Sequence, residues 1–129
     1  MPTPRERIEA LYASFARGDV PGVLGALHPA IEWTEAAGFP YGGTYVGPQA
    51  VLDGVFMKLA TEWEGFAVMP SEILADGDTV IALGEYSGTW RGTGKSFRAP
   101  MVHVWRFRDG AIVAFQQHTD TVLVQAAMR

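Results

Sequence analysis

The sequence predicts an α+β domain in which N-terminal helices pack on a curved, mainly antiparallel sheet. Three observations predict it. Apolar residues recur at helical spacing through the first half of the chain. From Phe66 onward the period changes to two, and the resulting strands are joined by tight turns at Asp76-Gly77-Asp78 and Asp109-Gly110 and by a Gly-containing loop from Arg91 to Lys95. Helices that precede such a sheet can cover only part of its concave face, so the uncovered part becomes a cone-shaped hollow walled by strands. A chain of 129 residues, 48% of them hydrophobic, forms one domain over 1–129, with no linker or internal repeat, and buries a core without staples.

In chain order, Thr3-Pro4-Arg5-Glu6 is a helix start: Thr3 caps, Pro4 suits the first helical position and Glu6 completes a capping box. Ile8, Leu11, Tyr12 and Phe15 then share one stripe, and Gly18-Asp19 ends the helix. Val23, Leu24 and Leu27 predict a short second helix from Val20 to His28, stopped by Pro29. Ala30 to Thr34 reads as a strand, and Glu35 to Gly47 as a long loop of the kind that rims a pocket. Pro48 to Trp63 is a third helix with Val51, Val55 and Leu59 on its apolar face, joined by Leu52 and Phe56. Four strands follow, Phe66 to Ala75, Thr79 to Trp90, Ser96 to Phe107 and Ala111 to Thr121, with glycines 84 and 88 placed to let the second one bend.

The last two strands form a hairpin around Asp109-Gly110, a pair suited to a type I′ turn. Regular pairing sets Phe107 against Ile112, Trp105 against Ala114, His103 against Gln116 and Met101 against His118. One face then carries Phe107, Ile112 and Trp105 near the turn and His103, Gln116, His118 and Asp120 farther away. An apolar face that ends in two histidines, an amide and a carboxylate reads as a pocket wall. The opposite face presents Val102, Val104, Val113 and Phe115, too apolar to leave wet, which predicts a homodimer through the sheet.

Composition excludes several classes. There is no cysteine, hence no disulfide, no thiolate nucleophile and no cysteine-held metal. A net charge of −4 with scattered basic residues gives no nucleic-acid footprint. No run of ~18 apolar residues is present to span a membrane, and no signal peptide is read, so a cytoplasmic protein with a small hydrophobic partner is expected.

The order HPAIEW, Pro40 to Gly43, YVGPQAV, ADGDTV, TGKSF, HVWRFRDGAIV and QQHTDT resembles the SnoaL-like, ketosteroid-isomerase-related branch of the NTF2-like superfamily, over nearly the whole chain. That resemblance implies a cone-shaped barrel with an interior pocket and commonly a homodimer; it does not imply a metal, and chemistry of this kind requires no cofactor. The fold hosts isomerases, cyclases, epoxide hydrolases, dehydratases and plain binders, so chemistry transfers only residue by residue. Polyketide cyclases of this type use a late pocket aspartate as acid/base, and Asp120 is the similar position. Tyr12 resembles the oxyanion-holding tyrosine of the isomerases without a full match around it. No inward arginine between aspartates supports the epoxide hydrolase arrangement.

The expected enzyme therefore transfers protons on an apolar, carbonyl-containing ligand. Asp120 is its acid/base, His103 and His118 orient the carboxylate or hold an oxyanion, and Gln116 hydrogen-bonds substrate. Trp105 and Trp33 grip the apolar body, with Tyr12, Tyr41 and Phe39 as further walls. A non-catalytic binding protein with the same pocket is the rival expectation. Two histidines and an aspartate also permit a metal site, which strand spacing alone does not favour. Glu32 and Glu35 are expected to be solvated carboxylates near the pocket mouth.

Overall fold

The threonine-proline start nucleates its helix as the sequence predicts: in the computed structural model, which describes residues 1–129, Thr3 and Glu6 form the reciprocal capping box of α1 (Pro4–Ala16). Its stripe buries Ile8 and Leu11. The second helix, α2 (Val20–Gly25), is shorter than expected, because the chain is already extended at Leu27, where β1 (Leu27–Glu35) begins.

The expected loop after β1 contains a short strand, β2 (Gly43–Val46), paired antiparallel to β1. The helical stretch that follows is continuous but not uniform: α3 (Pro48–Val51) passes through a π-helical turn, Leu52–Phe56, into α4 (Met57–Glu62). The Tyr45 ring lies so close to Gly54 that an added Cβ would stand 2.3 Å from it, so a glycine is required where strand and helix meet. One extra residue in the π turn lets both Val55 and Phe56 reach the interior.

The sheet is completed by β3 (Trp63–Asp76), β4 (Thr79–Trp90), β5 (Ser96–Arg108) and β6 (Ala111–Thr119), in the order β2-β1-β6-β5-β4-β3. All neighbours are antiparallel except β1 and β6. The β3–β4 register shifts between Pro70 and Glu72, opposite Gly84. A Cβ on Gly84 would lie 2.3 Å from the Met69 carbonyl oxygen, so this bend depends on glycine. A last helix, α5 (Thr121–Ala127), is absent from the sequence reading; it buries Val124 and Ala127, and Gln125 Nε2 donates to the Gly38 carbonyl at 2.6 Å.

The β5–β6 hairpin departs from regular pairing. Asp109 and Gly110 take φ of 50° and 78°, as a type I′ turn demands, and Phe107 does face Ile112. Beyond them the register shifts: Arg106 faces Ala114, Trp105 faces Phe115, His103 faces Gln117 and Met101 faces Thr119. Val113 is the extra residue of a β-bulge, and every later side chain of β6 changes sides. The interior gains Phe115 and Gln117, and Gln116 and His118 are turned out to solvent. The physical reason is aromatic packing: Phe115 stacks on Trp33 of the neighbouring β1, centroids 3.8 Å apart and planes 25° apart, and meets Trp105 at 4.6 Å. Burying Phe115 stabilises the fold by about 2 kcal/mol, more than the ladder loses at one bulge.

Candidate active site

Helices and sheet enclose a cavity of about 40 Å³ lined by 17 residues, 14 of them hydrophobic. Strand alternation determines which polar groups reach it. On β1, Ile31, Trp33 and Glu35 are buried and point inward, and Glu32 is exposed. On β4 the inward series Val80, Ala82 and Tyr86 brings a phenol to the wall. On β5 the series Met101, His103, Trp105 and Phe107 does the same for an imidazole. Helix α1 adds Tyr12 from its apolar stripe, and β6 adds Gln117 by virtue of the bulge.

Glu35 is the cavity's one carboxyl group, and only 4% of it is exposed. The Trp33 indole N–H donates to Glu35 Oε2 at 3.1 Å, which is the only protein hydrogen bond the carboxyl group makes. Since no buried polar atom is orphaned, the second oxygen keeps some accessible surface, and Glu35 is one of the residues that line the cavity. Burial raises its pKa to about 8, against a smaller lowering by the Trp33 hydrogen bond. An acid of this kind is mostly protonated at neutral pH yet gives up and regains its proton near it.

His103 lies among the same walls, 4% exposed, with both ring nitrogens engaged. Tyr12 Oη is 2.6 Å from Nδ1, and Tyr86 Oη is hydrogen-bonded to Nε2. Burial, with a smaller push from His118 across the sheet, lowers its pKa to about 3, so the ring is neutral at every ordinary pH. The network continues outward. Trp105 Nε1 donates to Tyr12 Oη at 3.0 Å, Gln117 Nε2 donates to Tyr86 Oη at 3.0 Å, and the Ala36 backbone N–H donates to Gln117 Oε1 at 2.9 Å. Burial raises the Tyr12 and Tyr86 hydroxyls well above their ordinary value; for Tyr86 the Glu35 charge adds to it. Both hydroxyls therefore stay protonated at ordinary pH.

The sequence-predicted residues divide sharply. His103, Trp105, Trp33, Tyr12 and Phe39 line the cavity. Tyr41 is buried beside it and not in its wall, with its hydroxyl donating to Glu62 Oε1 at 2.5 Å and accepting from Trp63 Nε1 at 3.2 Å. Gln116 and His118 lie on the opposite, outer surface, and Asp120 is exposed at the N-cap of α5 without accepting a cap hydrogen bond. The expected His103–His118–Asp120 constellation is therefore not formed, and those three do not make a common metal-donor set; the Val113 bulge is the cause. Glu35, Tyr86 and Gln117 take their places. The expectation of a solvated Glu35 is corrected as well: extending the alternation Ile31, Trp33 by two residues reaches it, a signal present in IEWTE.

Known proteins place this geometry in context. The chain resembles an NTF2-like protein from Burkholderia thailandensis E264, with a TM-score of 0.98 at 46% identity over 100% of this chain and 99% of that one. An NTF2-like protein from Burkholderia pseudomallei K96243 follows with a TM-score of 0.89, 32% identity and 98% of each chain covered. TerC, co-crystallised with polyporic acid, has a TM-score of 0.87 at 29% identity, again over 98% of each chain. No curated protein matches the sequence. The model of the SnoaL-like domain matches residues 8–115, and with that match and the NTF2-like fold the chain belongs to the SnoaL-like domain family.

Proposed function

We propose that the cavity is an acid/base site that moves protons on a small hydrophobic, carbonyl-containing ligand, in the manner of an isomerase, cyclase or dehydratase. Glu35 is the proton carrier, the Tyr12 or the Tyr86 hydroxyl donates to the ligand's oxygen, and His103 is the positioning residue between them. Trp33, Trp105 and Phe39 hold the apolar body. In this reading Asp120, His118 and Gln116 take no part. The observation that carries it is one buried carboxyl group, with a pKa of about 8, lining the same mostly apolar cavity as two phenols. Removing such a proton carrier costs ~10²–10⁴-fold in rate.

The cavity holds water-sized molecules as it stands, whereas drug-sized ligands occupy roughly 300 Å³ or more. Phe15, Phe56 and Leu59 of the helical wall therefore turn aside when the ligand enters. The TerC complex with polyporic acid supports a ring-containing ligand of that kind. The same reading has the protein acting as a cytoplasmic homodimer, joined through the outer face of the sheet.

The test is deuterium exchange at carbons adjacent to the carbonyl in a panel of cyclic ketones and polyketide-like esters, comparing native protein with Glu35→Gln. At least a hundredfold loss of exchange is expected for the variant, as for other removed proton carriers, ~10²-fold or more. The mostly hydrophobic lining also suits a non-catalytic ligand holder. Binding of panel members with no exchange above buffer in either protein would establish that second reading, and equal exchange in both would remove Glu35 from the chemistry.

A further inference from the structure

The hydrogens around His103 do not balance against the contacts there. The Trp105 indole N–H can only donate, so Tyr12 Oη receives one fixed hydrogen from it. The Ala36 backbone N–H orients the Gln117 amide by donating to its oxygen, so the NH₂ end faces Tyr86 Oη and gives that oxygen a fixed hydrogen too. Between the two phenols stands the ring, Nδ1 toward Tyr12 and Nε2 toward Tyr86. A neutral imidazole has one N–H and one lone pair, and each of the two N···O contacts needs one hydrogen. Two phenols and one ring bring three. One phenolic O–H is left over, and both tyrosines line the cavity.

We infer that Tyr12, His103 and Tyr86 form a proton relay with two outlets into the cavity, the ring tautomer deciding which tyrosine presents its O–H to a ligand. With the hydrogen on Nδ1, the ring donates to Tyr12, Tyr86 donates to Nε2 and the Tyr12 O–H is free. With the hydrogen on Nε2 the pattern reverses and the Tyr86 O–H is free.

Passage from the first state to the second is a balanced, neutral transfer. Tyr12 gives its proton to a ligand carbonyl oxygen and takes the one on Nδ1. Nε2 takes the Tyr86 proton, and Tyr86 takes one from an acid in the cavity. Each O–H or N–H bond broken is replaced by one formed, and all three relay groups end uncharged. The acid is Glu35 after it has removed a C–H proton, so this step rests on the acid/base reading above. The proton taken from carbon then arrives on oxygen, and the ligand leaves the step as a neutral enol. An apolar enclosure favours that outcome over a separated ion pair. The substrate class it fits is a ketone whose enol is a product or an intermediate.

Nitrogen-15 NMR of histidine-labelled full-length protein tests the relay without turnover. From about pH 5 to about pH 8 the His103 ring is expected to be neutral, with both nitrogens at shifts between those of protonated and bare nitrogen, averaged over two tautomers. Tyr12→Phe should fix the hydrogen on Nε2 and Tyr86→Phe should fix it on Nδ1, giving opposite patterns. A single fixed tautomer in the native protein, an imidazolium, or the same pattern in both variants overturns the relay. Should either variant fail to fold, the native spectrum decides alone. A negative result here leaves the Glu35→Gln exchange test standing, and an inactive native protein with an averaged ring leaves the relay standing.

Discussion

Glu35 and His103 share one enclosure and titrate in opposite senses, which fixes how stability follows pH. Burial raises Glu35 from 4.5 to about 8, so between those values the folded chain holds a proton that the unfolded chain has lost. Its contribution is fully present below pH 4.5 and disappears as pH rises through about 8. His103, lowered from 6.5 to about 3, behaves the other way: the unfolded chain binds the proton first, and stability is lost as pH falls from 6.5 through about 3. The two slopes cancel between pH 4.5 and 6.5, so the protein is expected to be most stable there. Thermal melts across pH should show that plateau with a fall on each side. In Glu35→Gln the alkaline fall should vanish, with a gain over native protein approaching about 5 kcal/mol above pH 8 and none below pH 4.5. An alkaline limb that is the same in both proteins would mean that Glu35 is not buried as described.

At the scale of an element, the hairpin is where reading and structure part. Helix α1, its capping box, the Asp-Gly turn and the four long strands were legible because each rests on local rules that nothing distant opposes. The bulge at Val113 was not, since no glycine or proline marks it and its cause, the Trp33–Phe115 stack, joins residues far apart in sequence. Strand β2 and helix α5 escaped for a similar reason: both are short and held by contacts to β1, β5 and the Gly38 loop. Half of the candidate site followed from this. Tyr12, Trp33, Phe39, His103 and Trp105 are set by patterns before the bulge, whereas His118, Gln116 and Asp120 depended on a regularity the bulge removes. Deletions separate the two cases. Removing Val113 restores a regular ladder and leaves Phe115 and Gln117 inward, so that variant is expected to fold with a loss of about 1–2 kcal/mol. Removing Gln116 reverses every later side chain, turning Gln117 out and His118 in, and should cost more than about 4 kcal/mol. Equal denaturant midpoints for the two deletions would be incompatible with the bulge.

For the whole molecule, the layout leaves one broad surface without a cover. Helices α1 and α2 pack against β1, β3 and β4 on the inner side, and the buried residues of β4 and β5, from Val80 to Tyr86 and from Phe97 to Phe107, all face that way. On the outer side, cross-strand pairing aligns Leu74 with Ile81 and Ile81 with Val104, and in the next row Leu83 with Val102. Leu74 and Ile81 are 49% and 36% exposed, and Leu83, Val102 and Val104 are half-buried. The strip turns polar at β6, where Gln116 and His118 face Val104 and Val102. Since Phe115 lies inside, this patch is narrower than the sequence predicts and its apolar centre sits over β3 to β5 rather than over the hairpin. An apolar strip with a polar border is the anatomy of an interface, and the homodimer proposed above would pair it with the same strip of a second copy about a two-fold axis. Light scattering is expected to give twice the mass of one chain. Ile81→Glu or Val104→Glu should return a folded monomer with its cavity intact, because a carboxylate at the centre of the strip is desolvated without a partner. A native protein that stays monomeric at high concentration, or glutamate variants that remain dimers, would move the contact elsewhere on the surface.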